Sequence, residues 1–325
     1  MREADATKFS LLRDRDVFPM STASMSQRRL GIVGLGLLGG AIARKLHEAG
    51  LAPTGFDMNA DRRCEAAAAG IAVAASAAVV AKESDVVLLS LPNGEIVDAL
   101  LAELRPQLRT GQIIIDTTTA APPQMVAHAE VLRSLGVGYV EAEVAGSSAQ
   151  VTRQEVLVFA GGAEADVAVV REILESFAAE VRYVGPTGTA ACWKLVHNLI
   201  LGLHRAVLAE GLALAESLGL DATNLLEVLR RTPASSAVMT TKGPKMLQRD
   251  FTPQATVRQH LKDVRLIIET AARAGANVPL SRRHEELLER AVALGFSEAD
   301  NSAIVMALLR DPTGEEGRDP DDSEL

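Results

Sequence analysis

The amino-acid sequence predicts an α/β protein in two parts: an N-terminal, doubly wound parallel sheet, then a C-terminal domain built only of helices. Three observations predict it. A short apolar strand from Leu30 runs into Gly34-Leu35-Gly36-Leu37-Leu38-Gly39 and then into a helical stretch that stops at Gly50. Short apolar runs bounded by turn residues then alternate with helical stretches as far as "VRYVG", the pattern of parallel strands joined by crossover helices. Beyond Gly188 the strand signal ends and the pattern is continuous helix.

The first 29 residues mix Arg2, Lys8, Arg13 and Arg15 with Glu3, Asp5, Asp14 and Asp16 and have no apolar centre. They read as a flexible extension rather than a secretory signal or transit peptide. "MSQRRLGIVGLG" from Met25 would be a natural beginning, which leaves residues 1–24 in question. In the glycine run, Gly34 permits a tight turn, Gly36 lets backbone approach a pyrophosphate, and Gly39 lets the helix pack close to the strand. The N-terminus of that helix offers N–H groups and a positive dipole end to phosphates. This is the phosphate-binding arrangement of a Rossmann domain.

The next strand, "APTGFD", ends at Asp57, eighteen residues beyond Gly39. A carboxylate there accepts hydrogen bonds from adenosine ribose hydroxyls and repels a 2′-phosphate. The alternatives are that Asp57 caps the helix starting near Asn59 or Ala60, and that Arg62 and Arg63 serve a phosphate. NAD is favoured over NADP as the cofactor. "SDVVLLSLP" and "GQIIIDTTT" follow as buried-type strands. Their carboxyl ends, where ligands bind in such sheets, carry Leu91-Pro92 and Asp116 to Thr119. The bland reading makes the proline a strand stop and the threonines helix caps. "VGYVEAEV", "EVLVFAGG" and "VRYVG" extend the sheet.

The helical part begins with "TGTAACWKLVHNLILGLHRAVLAEGLALAESLGL", apolar over most of its circumference, so it is either the centre of its domain or buried against a second subunit. "DATNLLEVLRRT", "AVMTTKGPKMLQ", "ATVRQHLKDVRLIIETAARAG" and "SRRHEELLERAVALG" follow it. The expected division is a flexible extension over 1–29, a dinucleotide-binding domain over 30–187, a helical substrate and dimerisation domain over 188–311, and a disordered acidic tail over 312–325. The site is expected in the cleft between the two domains.

Composition excludes several classes. The net charge of −9 leaves no basic stripe for nucleic acid, and 3% aromatic residues provide poorly for base stacking. No segment reads as a membrane span, the most apolar run (Ala66 to Ala81) being Ala-rich, too short and broken by Gly70 and Ser76. Cys64 and Cys192 share no motif, which fits a reduced, cytoplasmic setting. No histidine pair or cysteine cluster suggests a metal.

Lys194, His197, Asn198 and Arg205 fall at i, i+3, i+4 and i+11 on the opening helix, one stripe on one side. By spacing alone the stripe is a solvated edge or the lining of a pocket. Its place, one turn into the first helix after the dinucleotide domain, favours the pocket. An amine beside a nicotinamide ring takes the proton from a substrate hydroxyl while hydride leaves carbon, or returns it in reduction. Burial brings a lysine pKa towards the range such work needs.

In this order the motifs resemble the β-hydroxyacid dehydrogenase family, which includes 3-hydroxyisobutyrate dehydrogenase and tartronate semialdehyde (2-hydroxy-3-oxopropionate) reductase. The resemblance covers about residues 30 to 310 and rests on GLGLLG at 34–39, SLP at 90–92, DTTTAAP at 116–122, EAEVAGSS at 141–148, GTAACWKLVHN at 188–198 and LKD at 261–263. It implies that Lys194 is the catalytic lysine and that Asn198 helps hold the substrate. It implies that Leu91, Pro92 and Thr119 line the nicotinamide end of the cofactor and that Lys262 contacts the cofactor. Gly146 and Ser147, with Ser148 beside them, match the loop that receives the substrate carboxylate. It also implies a helical domain like that of 6-phosphogluconate dehydrogenase.

The departures bear on the substrate. Ala145 stands where the related motif has serine, so Ser147 or Ser148 takes over or the substrate differs. Glu143 stands in place of the usual proline; pointing inward, it would disfavour a second acidic group and favour a cationic or hydroxylated substrate. His197 stands where asparagine is common and reads as part of the helix stripe. The expected function is an NAD(P)-dependent oxidoreductase interconverting a short β-hydroxy acid and its semialdehyde, with Lys194 as general acid–base, in a homodimer or homotetramer. The alternatives are an imine reductase, or a cofactor-binding oligomer of the same fold without catalysis.

Overall fold

The computed structural model describes residues 28–309. Apart from Arg28 and Arg29, the expected terminal extension and the acidic tail lie outside the described residues. The chain divides into two compact units, the first reaching Asn198 and including Glu269–Ala274, the second holding Leu199–Ile268 and the chain from Gly275 on.

The first unit is a sheet with helices on both faces. Its elements in order are β1 (Leu30–Val33), α1 (Leu37–Glu48), β2 (Thr54–Phe56), α2 (Ala60–Ala68), β3 (Ala72–Val73), α3 (Ala77–Glu83), β4 (Val86–Leu89) and α4 (Gly94–Leu104). There follow β5 (Ile113–Asp116), α5 (Pro122–Arg133), β6 (Gly138–Ala145), α6 (Ser148–Thr152), β7 (Leu157–Gly162), α7 (Glu164–Glu175) and β8 (Glu180–Gly185). The eight strands lie in the order β3-β2-β1-β4-β5-β6-β7-β8. The stretch from β3 to β6 is wholly parallel, and its order reverses direction at β1, the doubly wound switch point beside which nucleotides bind.

The expected doubly wound, mostly parallel sheet is present, with two features beyond the sequence expectation. One pair, β6 and β7, is antiparallel. Only the short α6 and its flanking turns join them, too little chain for the crossover a parallel return requires. The extra strand β3, Ala72–Val73, lies in an alanine-rich stretch that carries no strand signal; both residues are exposed and it pairs only with β2.

The central strands are apolar because both faces are covered. Val86, Val87, Leu88, Leu89, Ile113, Ile114 and Ile115 have no exposed surface. Burial of each such side chain is worth about 1.5–3 kcal/mol. Alternate residues feed two cores: Ile32, Leu88 and Ile115 meet Ile42 of α1 and Val170 of α7, whereas Val33, Leu89 and Ile114 meet Val97 of α4 and Met125 of α5. β6 obeys the same period of two. Val140, Ala142 and Val144 join the first core and Tyr139 the second, so Glu141 and Glu143 share the face of Tyr139.

Helix α8 (Thr189–Ser217) starts in the first unit and continues in the second. Among the described residues it is long and apolar enough, by length and composition, to cross a membrane, and half of its apolar stretch is buried within the fold. The sequence statement that no segment has this character is corrected to that extent. A core helix meets the same test, and this one carries Lys194, Asn198 and Arg205 on its buried side.

The second unit continues with α9 (Ala222–Leu229), α10 (Ala237–Thr241), α11 (Gly243–Gln248), α12 (Val257–Arg273, whose end from Glu269 belongs to the first unit) and α13 (Pro279–Ala291), around Leu208, Leu212, Met246, Val264, Leu288 and Ile304. The sequence reads "AVMTTKGPKMLQ" as one run, but it breaks at Lys242, because Pro244 has no N–H to continue a helix and opens a new one. The break is anchored: Lys242 Nζ reaches both oxygens of the buried Asp300 at 2.9 Å.

Candidate active site

The glycine run lies between β1 and α1, as its chemistry requires. Gly34 has φ +97°, and a Cβ there would meet Ser90 O at 2.2 Å. A Cβ on Gly39 would meet Gly34 O at 2.0 Å, so α1 can start this close to β1 only with glycine at that position. Gly36, the N-cap of α1, is different: nothing lies within 4 Å of the place its Cβ would take. The space is open and the first-turn N–H groups of Leu37, Leu38 and Gly39 face it without intrahelical acceptors. Such a cradle fits a pyrophosphate.

Asp57, just past the end of β2, ties this turn together. Its Oδ2 accepts the Leu35 N–H at 2.7 Å and its Oδ1 accepts the Asn59 N–H at 2.8 Å. The cap of α2 is Asn59, not Asp57, since Asn59 Oδ1 accepts from the N–H groups of Asp61 and Arg62. Asp57 has lone pairs to spare. Arg63 donates to the Asp57 and Met58 carbonyls and lies over the Phe56 ring, while Arg62 pairs with Glu65.

At the ends of β4 and β5 the threonines hold backbone. Thr117 Oγ1 donates to Leu89 O at 2.9 Å, and Thr118 Oγ1 accepts the Leu91 N–H at 3.1 Å. Leu91 is partly buried against the second core, and Pro92 follows it. Thr119 points elsewhere: its hydroxyl donates to Glu143 Oε2 at 2.9 Å.

Lys194 is 9% exposed and Asn198 7%, so this part of the stripe faces inward. Lys194 Nζ donates to Val144 O at 2.5 Å, which brings the amine to the end of β6. His197 Nδ1 lies 3.1 Å from Asn198 Oδ1, and its ring meets the edge of Phe159. Burial first, then the Lys194 charge, holds His197 below the usual histidine range. The solvated edge is overturned. Arg205, further along in the second unit, is 3% exposed, and burial lowers it to about 10. The exposed side of α8 is largely apolar, with Trp193, Val196, Ile200, Val207 and Leu214 each about half exposed or more, and is interrupted by the exposed His204, Glu210 and Glu216.

Beneath the lysine lies a set of buried carboxyls that the sequence reading placed only in part. Glu141, 0% exposed, caps α8: Oε1 accepts from Gly188 N–H and Oε2 from Ala191 N–H. Burial raises its pKa to about 7, and those backbone donors hold it from going higher. Burial also raises Asp116, against hydrogen bonds from Thr118 and from Tyr139 Oη, the latter at 2.8 Å. Glu143 is 0% exposed and pushed well above the carboxylate range by burial, with Lys194 and the Thr119 hydroxyl pulling it back. The alternation of β6 was the available signal, since it puts every second residue from Tyr139 on one face.

The loop after β6 carries Gly146, Ser147 and Ser148. A Cβ on Gly146 would meet Val156 Cγ1 at 2.4 Å. Ser147 caps α6 in a reciprocal box with Gln150, its own N–H donating to Gln150 Oε1 at 3.0 Å. An incoming carboxylate would therefore displace an amide oxygen from that N–H. Ser148 opens α6. Lys262 lies on α12 in the second unit, half-buried, with Nζ 3.0 Å from Asp263 Oδ1.

Residues 29–185 match the NAD binding domain of 6-phosphogluconate dehydrogenase, and residues 188–308 match the NAD-binding domain of NADP-dependent 3-hydroxyisobutyrate dehydrogenase. The chain is 26% identical to 2-(hydroxymethyl)glutarate dehydrogenase of Eubacterium barkeri over 85% of this chain and 93% of that protein. It is 28% identical to 2-hydroxy-3-oxopropionate reductase of Escherichia coli (strain K12) over 86% of this chain and 97% of that one. A crystal structure of 3-hydroxyisobutyrate dehydrogenase from Salmonella typhimurium matches with a TM-score of 0.81 at 26% identity, over 86% of this chain and 99% of that one. Nucleotide turn, buried amine and both halves of the match agree, and the chain belongs to the β-hydroxyacid dehydrogenase family, as an NAD(P)-dependent oxidoreductase acting on CH–OH donors.

Proposed function

We propose that the protein interconverts a short β-hydroxy acid and its semialdehyde, with Lys194 as the general acid–base and Asn198 holding the substrate beside it. The observation that carries this reading is the amine itself, nine-tenths buried and fixed on Val144 O at the end of β6. An amine so placed holds a proton out of water and can deliver it to one oxygen atom. In this reading residues 30–187 bind the nucleotide and residues 188–311 complete the substrate end and the assembly.

Gly34, Leu35, Gly36, Leu37, Leu38 and Gly39 hold the pyrophosphate, the open space at Gly36 being what the group needs. Asp57 turns its remaining lone pairs to the ribose hydroxyls, which favours NAD over NADP. Leu91, Pro92 and Thr119 line the nicotinamide end, and Lys262 is a cofactor contact. Gly146, Ser147 and Ser148 receive the substrate carboxylate. The nicotinamide, when bound, supplies or accepts the hydride; Lys194 supplies or accepts the proton at the substrate oxygen.

The test is a panel of short hydroxy acids and semialdehydes with NAD(H) and NADP(H), read by absorbance of the reduced cofactor. General acid–base work is worth about 10²–10⁴-fold, so Lys194→Ala should lower kcat by about that factor while nucleotide binding persists. Unchanged turnover in Lys194→Ala removes the lysine from the mechanism. Imine reduction is disfavoured by the retained lysine. A cofactor-binding role without chemistry rests on Ala145 and Glu143, and nucleotide binding without turnover across the panel would favour it. The exposed apolar face of α8 supports a homodimer or homotetramer, and two unpaired cysteines, Cys64 and Cys192, fit a cytoplasmic setting.

A further inference from the structure

Glu143 is a carboxyl group with one oxygen accounted for and one not. Oε2 accepts the Thr119 hydroxyl at 2.9 Å, while Oε1, without solvent contact, has no hydrogen-bond partner among the described residues. A buried carboxyl oxygen left this way costs free energy, so its retention calls for a use. A substrate cannot be that use by direct contact, because Glu143 has no exposed surface. The partner has to be a protein group.

The basic group whose charge acts on Glu143 is Lys194. Its ammonium is fixed on the carbonyl of the very next residue, Val144, so one strand end holds both the amine and the acid. We propose that Glu143 is the proton-sharing partner of Lys194, returning a proton to the amine after the amine has given one to the substrate oxygen. The proposal rests on Lys194 being the general acid–base.

The charges around the pair favour a proton on it. The groups facing Glu143 are Lys194 from α8, Glu141 and Tyr139 from β6, and Asp116 from β5; Phe159, opposite on β7, is uncharged. Glu141 already commits its carboxyl to the N-terminus of α8. Several buried carboxylates around a single ammonium cannot all ionise, and the direction for Glu143 is well above the carboxylate range. It therefore enters the reaction as a carboxylic acid. The proline usual at this place in the related motif has no proton to give.

In the reducing direction, a bound reduced nicotinamide would supply the hydride for the carbonyl carbon. The oxygen takes a proton from Lys194 Nζ, breaking one N–H bond and forming the O–H bond. Glu143 then gives its carboxyl proton to the neutral amine. The step ends with a carboxylate beside an ammonium, and solvent restores the carboxyl proton after the product leaves. Oxidation runs the same transfers backwards.

The test compares the wild type with Glu143→Gln, Glu143→Leu and Glu143→Asp. The Lys194 amine is titrated by NMR of protein carrying lysine labelled with ¹³C at Cε, the signal assigned with Lys194→Arg and folding checked by nucleotide binding. Once its proton has passed to the amine, Glu143 is a carboxylate whose charge favours the ammonium, and Glu143→Gln cannot supply that charge. The amine should then titrate at least about one unit lower in Glu143→Gln, a tenfold change in the proton equilibrium, and the alkaline limb of the kcat profile for reduction should shift down with it. kcat should fall about tenfold or more with KM little changed, and Glu143→Asp should recover part of both. An amine titration identical in wild type, Glu143→Gln and Glu143→Leu, with the wild type turning over, overturns the role of Glu143 alone. A coupled titration in a wild type that turns over nothing in the panel overturns the dehydrogenase reading and the catalytic use of the pair with it.

Discussion

Glu141 shows what a single buried carboxyl does to a fold. It is completely covered, accepts two N–H groups at the start of α8, and has its pKa raised from 4.5 to about 7, first by burial. Between about pH 4.5 and 7 the folded carboxyl keeps a proton that the unfolded one has lost. Its contribution to stability is therefore full below that window and falls as pH rises through it. In Glu141→Gln this slope should flatten while one backbone acceptor remains, an outcome read from urea midpoints measured across the window. A slope identical to the wild type would assign the pH dependence to Asp116 and Glu143 instead. Glu141 was legible in sequence only as part of a motif; its helix-capping role needed α8 and β6 to be brought together. Lys194 and Asn198 were legible because a polar stripe on an apolar helix leaves few readings, and burial chose between them.

At the scale of elements, the turn from β1 to α1 holds, within six residues, a glycine with open space and a glycine without any. Gly36 has open space around it and Gly39 has none. In Gly36→Val, nucleotide affinity should fall at least about 100-fold, as expected when side chain fills the pyrophosphate place, with the melting temperature unchanged. In Gly39→Ala the methyl group would meet Gly34 O, so the loss should appear as about 1–3 kcal/mol of stability, measured by denaturant unfolding. Nucleotide affinity retained in Gly36→Val would mean that the phosphates lie elsewhere. This turn was readable because its spacing is dictated by chain geometry. The antiparallel step from β6 to β7 was not, since an apolar strand carries no mark of its direction and only the shortness of the link decides it. β3, with two exposed residues, offers no periodicity to read.

For the whole molecule, α8 carries apolar side chains on its bare side as well as on its covered one. Leu195, Leu208 and Leu212 are covered together with Lys194, Asn198 and Arg205, while Trp193, Val196, Ile200, Val207 and Leu214 are bare. Bare apolar side chains on this scale are the expected mark of an association site. Leu214→Glu together with Val207→Glu should convert the proposed oligomer to monomers, as measured by light scattering, whereas a wild type monomeric at all concentrations would refute that proposal. Because Trp193 and Lys194 are consecutive, separation of the protomers would wet the helix face adjoining the amine. Specific activity should then decay as the enzyme is diluted, with a midpoint at the dissociation constant of the oligomer. The rate per protomer in this protein would thus report how many protomers it has for company.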